Sequence, residues 1–134
     1  VVFYQLVQYF VAQGRVLKYG CNVLINYTRL REIMYIYNVT IKVDHAIVKE
    51  WLRWLKQEHI PEILATGCFT EATTLELLET VDDQGATFAV QYKTPRLEDY
   101  RSYLSKYAPE LRQKGVEKWG NKFIAFRTFM KIVD

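Results

Sequence analysis

No acidic residue occurs before Glu32 and no methionine before Met34, and the 134-residue chain holds only two cysteines and two histidines. Each scarcity excludes something. Cys21 and Cys68 lie far apart in no metal-ligand spacing, so they build neither a disulfide framework nor a zinc site, and a reducing cytoplasm is the expected location. His45 and His59 cannot make a metal centre by themselves. A Gly-rich phosphate loop, a nucleophile elbow and an HExxH helix are all missing. Neither a metal nor a cofactor is expected. The longest uncharged run near the N-terminus, Val1 to Gly14, is too short and too rich in Gln to span a bilayer, so no membrane partner is expected.

Charge is scarce as well. The net charge is +3, and residues 1–33 supply all of it, with Arg15, Lys18, Arg29 and Arg31 against Glu32. The remaining residues carry 14 basic and 14 acidic groups. A nucleic-acid reader needs a concentrated basic stripe on its folded domain, and none is present, so no nucleic-acid partner is expected. Two readings of residues 1–33 compete, a genuine extension that packs on the domain and a segment outside the native domain; the missing methionine, the charge step and the shift in composition favour the second as the expectation. The expected start is Met34 and the expected domain is 34–134.

What the chain does have is clear periodicity. In "MYIYNVTIKVD" Tyr35, Tyr37, Val39, Ile41 and Val43 alternate with Ile36, Asn38, Thr40 and Lys42, which predicts a strand. Asp44 is placed to accept from the free N–H groups of a following helix. That helix carries Val48, Trp51, Leu52, Leu55 and His59 at helical spacing. Pro61 predicts an end or kink at Ile60, then a short second helix stopped by Gly67. "CFTEATTLELLETV" reads as a second strand, "DDQG" as a turn and "ATFAVQYK" as a third strand, with Phe88, Val90 and Tyr92 on one face. Thr94 and Pro95 mark the start of a helix whose expected buried stripe is Leu97, Tyr100, Leu104 and Tyr107. Pro109 restarts a helical segment, "GN" turns the chain, and "KFIAFRTFMKIVD" is the last strand.

The resulting order, β-α-β-β-α-β, is the split pattern of ferredoxin-like α+β folds. Right-handed crossovers place both helices on one face of a four-stranded antiparallel sheet of order 4-1-3-2. The other face should carry Ile36, Asn38, Thr40 and Lys42 with Thr87, Ala89 and Gln91. Either face of the last strand suits the helices, because Phe123, Ala125, Arg127 and Phe129 alternate with the equally apolar Ile124, Phe126, Thr128 and Met130. An uncovered face this apolar predicts a homodimer that buries sheet against sheet.

Several side chains are candidates for chemistry. His59 is a proton carrier or ligand contact by its ordinary pKa, or else a helix-closing residue that bonds the last carbonyls. Arg127 sits in an apolar strand and needs a ligand carboxylate, an acidic partner or a solvated mouth. Cys68 reads as a small buried hydrophobe, Trp51 and Trp54 as packing groups or stacking platforms, and Glu58 and Glu62 as solvated. Asn38, Thr40, His59, Gln91 and Arg127 together make the candidate pocket set.

The segments "MYIYNVTIKVD", "EWLRWLKQEHIPEILATGCFTEA", "FAVQY" and "YAPELRQKGVEKWGNKFIAFRT" resemble the bacterial family called domain of unknown function 4286. The most specific parts are His59 to Phe69 and Gly120 to Thr128. The resemblance runs from Met34 to Asp134 and implies the dimeric α/β-barrel superfamily, whose members include cofactor-independent monooxygenases, haem-degrading enzymes and isomerases. Some of its monooxygenases use an Asn on the first strand with a Trp and a His or Arg. Asn38 has a comparable position, while His59, Trp51 and Trp54 lie on the helix. Three functions follow as expectations: a homodimer that binds a small aromatic or carboxylated metabolite, a cofactor-independent oxygenase or isomerase in which Asn38 and His59 polarise substrate, and a non-catalytic structural or regulatory dimer.

Overall fold

The computed structural model describes residues 33–79 and 85–134 in full, and in the first 32 residues the backbone of three short strands. The chain divides into two units, Val1–Glu32 and Ile33–Asp134. In the first unit β1 (Tyr9–Ala12), β2 (Arg15–Lys18) and β3 (Leu24–Ile25) pair antiparallel in that order. The expected "DDQG" turn lies largely outside the described residues.

In the second unit β4 (Tyr35–Asp44) is the central strand, flanked by β6 (Gly85–Thr94) and β7 (Phe123–Lys131). β5 (Glu71–Leu77) pairs with β6, so the sheet runs β5-β6-β4-β7, antiparallel throughout. This is the expected order, 4-1-3-2 in the numbering of that domain. The helices follow as α1 (Val48–Trp54), α2 (Ile60–Ala65), α3 (Leu97–Lys106) and α4 (Ala108–Trp119). Asp44 accepts from the Ala46 N–H at 2.8 Å and so caps the one-turn 3-10 segment His45–Ile47 that opens α1.

The first helix departs from expectation in one respect. It does not end at Ile60: α1 and α2 are joined by a π-helical turn, Leu55–His59, into one helical path, so of the two alternatives only a local distortion at Pro61 is met. The Ile60 N–H reaches back five residues to the Leu55 carbonyl. A wider turn just before Pro61 absorbs one extra residue, and it relieves the crowding that the proline ring imposes on the turn before it. His59 therefore does not close a helix. The helical path stops instead at Gly67 (φ 74°), whose N–H bonds the Leu64 carbonyl at 3.0 Å in a conformation a side chain would strain.

The second helical region is shifted in detail. Thr94 does not cap α3 directly: its hydroxyl receives the Arg96 N–H in a small turn, and α3 begins at Leu97. Tyr103, 2% exposed, is the buried residue of α3, whereas Tyr107, expected in the stripe, is 38% exposed. The helix ends there and α4 starts at once, so Tyr107 falls on the junction and not on the buried face.

Between sheet and helices lies one aromatic core. Tyr37 is central to it, with Phe69, Tyr92, Tyr100 and Tyr103 around it at ring separations of 5.4 to 6.0 Å. Trp51 stacks on Phe88 at 5.5 Å, and Cys68 is a buried free thiol at the core edge. β7 turns its Phe123 set to the helices, since Phe129 stacks flat on Tyr100 with ring centres 3.7 Å apart. Ile124 and Phe126 are left 54% and 64% exposed on the other face.

Candidate functional site

The core does not close completely. A cavity of about 100 Å³ remains between the sheet and the helical layer. Its floor is Tyr37, Val39 and Ile41 of β4 with Ala125 and Arg127 of β7. Its roof is Trp54, His59 and Ile63 on one side and Arg112, Gly115 and Val116 of α4 on the other. At roughly 30 Å³ of liquid volume per water, the space suits a few waters or a small organic molecule.

The π-helical turn builds the roof. In an α-helix, residues five apart stand roughly 140° apart around the axis. The extra residue of the wider turn brings the fifth residue back over the first, and His59 stacks on Trp54 at 4.6 Å with an interplanar angle of 23°. Trp54 also meets Trp119 edge-on at 6.0 Å. Opposite this stack, Gly115 interrupts α4. A Cβ there would sit at ordinary contact distance, 3.5 Å from Trp54 and 3.7 Å from Phe123, so no clash demands the glycine. A glycine inside a helix costs roughly 0.5–1 kcal/mol against alanine, and here its visible effect is to leave the cavity wall open.

The electrostatics are one-sided. Arg112 and Arg127 line the cavity, and no Asp or Glu does. Arg112 donates from Nη2 to the Tyr37 hydroxyl at 3.2 Å, while its buried Nε has no hydrogen-bond partner. Arg127 is exposed and also lines the cavity. Burial pushes the His59 pKa from 6.5 down to about 4; Glu62 opposes this, and Lys114 and Arg127 reinforce it. His59 is therefore neutral at physiological pH, and its buried Nδ1 is likewise without a partner. An unmet buried polar atom costs about 1–3 kcal/mol; these two belong to side chains that line the cavity, though the atoms themselves are sealed from it. Burial raises the pKa of the Tyr92 and Tyr103 hydroxyls and keeps both neutral. At the outer rim Lys114 of α4 and Glu62 of α2 pair at 3.1 Å; both are half exposed, so the bridge adds little to stability.

The candidate set divides across the sheet. His59 and Arg127 are at the cavity. Asn38, Thr40 and Gln91 are on the opposite face, because alternation along β4 and β6 sends them away from Tyr37 and Tyr92. There Asn38 donates from Nδ2 to Thr40 Oγ1 at 3.1 Å and to Thr128 Oγ1 at 3.3 Å. An Asn38–His59 pair acting on one substrate is thus not formed within the chain. Arg112 was not found from sequence. It sits among charged residues in "ELRQKGVEKW", and only the small Gly115 one turn later, on the same helix face, hints at an inward position. Among the described residues no group of three or more His, Cys, Asp or Glu side chains is placed to hold a metal ion. No helix among them is long and apolar enough to cross a membrane.

Sheet order, one-sided helices and an internal cavity define a ferredoxin-like α+β domain. Residues 34–133 match the family described as domain of unknown function (DUF4286), and the chain belongs to that family. No curated protein matches the chain. Similar solved structures include a dimeric ferredoxin-like protein from an uncultured marine organism, with a TM-score of 0.60 at 6% identity over 77% of this chain and 98% of that one. A candidate antibiotic biosynthesis monooxygenase from Bacillus cereus gives 0.52 at 14% identity over 75% and 94% of the two chains. The Streptomyces coelicolor monooxygenase from ActVA-Orf6, in complex with nanaomycin D, gives 0.51 at 13% over 77% and 90%. At such identities the likeness is one of fold.

Proposed function

We propose that the protein is a homodimer that binds a small carboxylated metabolite in the cavity between its sheet and its helices. The observation that carries this reading is the pair of guanidinium groups, Arg112 and Arg127, on an apolar wall with no carboxylate. Guanidinium matches a carboxylate in charge and in its planar pair of donors. The volume supports a ligand of few heavy atoms over a polycyclic one, since typical drug-sized pockets run from roughly 300 Å³ upward. In this reading the working unit is residues 34–134 and the setting is the cytoplasm. A panel of short carboxylates should raise the melting temperature of the purified protein, and Arg127→Ala should abolish the shift. A shift of equal size in Arg127→Ala would remove the proposal.

The dimer rests on the other face of the sheet. Leu75, Ile124, Phe126 and Met130 are exposed large apolar groups there, and they surround the Asn38, Thr40 and Thr128 cluster. Because those polar groups already bond one another, burying the face against a second copy would strand few of them. The similarity in fold to a protein described as dimeric supports the same arrangement. Light scattering at micromolar concentration should report twice the chain mass; a monomer would overturn this part.

A further inference from the structure

The free face of the sheet carries a polar row that crosses all four strands. Thr73 of β5 lies opposite Gln91 of β6, Gln91 opposite Asn38 of β4, and Asn38 opposite Thr128 of β7. The row's hydrogen bonds are unfinished. Asn38 Nδ2 donates to the Thr40 and Thr128 hydroxyls, while its Oδ1 accepts from no described residue. The Gln91 amide has no hydrogen bond to any described residue. Water meets these groups in a single chain, but a second sheet laid on this face must meet them itself.

Two twofold arrangements lay row on row. With the axis along the row, every residue faces its own copy, so Lys93 meets Lys93 and its ion-pair partner Glu71 meets Glu71. With the axis along the strands, midway between β4 and β6, each residue of β4 faces one of β6, and each of β5 faces one of β7. Asn38 then faces Gln91 of the partner and Thr73 faces Thr128. In the next row Leu75, 43% exposed, faces Phe126, 64% exposed. Only this second arrangement sets apolar on apolar and amide on amide with no like charges opposed.

Building on the dimer reading above, we propose that the two copies are keyed by reciprocal amide pairs, Asn38 of each protomer bonded to Gln91 of its partner. A primary amide is donor and acceptor at once, so the pair closes whichever way round the Asn38 amide lies. Twofold symmetry produces the pair twice, side by side at the centre of the interface. The surrounding apolar groups drive association without choosing a register. The amides choose it, because a slip of one sheet over the other leaves them buried and unmet.

Asn38→Leu and Gln91→Met each remove one amide at nearly constant shape. In a homodimer of either variant both central pairs are mismatched. In a heterodimer of the two, one Asn38–Gln91 pair is intact and the other is an apolar contact. Mixing the full 134-residue variants, one of them isotope-labelled, and counting dimers by native mass spectrometry after exchange reads the pairing directly. The ratio of heterodimer to homodimers should exceed the statistical ratio about tenfold or more, because only the homodimers bury unmet amides. A statistical mixture overturns the amide key while the dimer stands. A heterodimer depleted below the statistical ratio overturns it too, since like residues then face each other. A wild-type protein that is monomeric at micromolar concentration overturns both the key and the dimer.

Discussion

The two faces of the sheet are built from the same strands yet treat their polar groups in opposite ways. On the free face Asn38, Thr40 and Thr128 satisfy one another among exposed apolar groups. On the helix face His59 and Arg112, whose side chains line the cavity, each keep a buried polar atom unpaired. Self-satisfied polar groups suit a surface that is to be covered by protein, because burial then costs little. Unsatisfied ones suit a surface that waits for a small partner. Under the proposed function, association belongs to the free face and ligand binding to the cavity on the helix face.

The largest effect should come from breaking the free face. Phe126→Glu puts a carboxylate in the centre of the apolar surface, twice over in a symmetric dimer, and should leave a folded monomer by light scattering. A dimer that survives this change would detach the free face from association. On the helix face Trp51→Ala removes a buried ring stacked on Phe88 and should cost about 3–5 kcal/mol in denaturant unfolding. A loss below about 1 kcal/mol would show that the core is not organised around it.

Acid should act on the helix face through His59. His59 has a folded pKa of about 4 against 6.5 when solvated, so the unfolded chain takes up a proton first as pH falls. The stability is full above pH 6.5 and is lost progressively toward pH 4, by at most about 3 kcal/mol. Glu62 softens this loss, while Lys114 and Arg127 sharpen it. His59→Phe should flatten the pH dependence across that window, and a wild-type slope retained in the variant would assign it to other groups. The smallest effect belongs to Gly115→Ala. It should raise stability by roughly 0.5–1 kcal/mol through helix propensity and, by narrowing the cavity, weaken carboxylate binding. Tighter binding in Gly115→Ala would contradict an open wall as the glycine's role.

The sheet was legible because a period of two survives in β4 and β6, where every second residue is core. β7 was ambiguous, since both its faces are apolar, one meeting the helices and one lying open. The helix through Pro61 was legible only in part: proline chemistry fixes that a normal helix cannot pass unaltered, but not that a π-helical turn takes up the strain. The same turn brings His59 onto Trp54, a contact that spacing on a regular helix argues against. Alternation already placed Asn38, Thr40 and Gln91 on the face away from Tyr37, and joining them with Arg127 in one pocket set combined two surfaces. Arg112 escaped notice because a long charged side chain on a polar helix reads as solvated until its partner, Tyr37, is known.

Isothermal titration of propionate into wild-type and Arg127→Ala protein tests most directly whether two cavity arginines hold a small carboxylate. Saturable binding at one site per chain, lost in the variant, is the predicted result. Binding that is absent from the wild type, or unchanged in the variant, would contradict it.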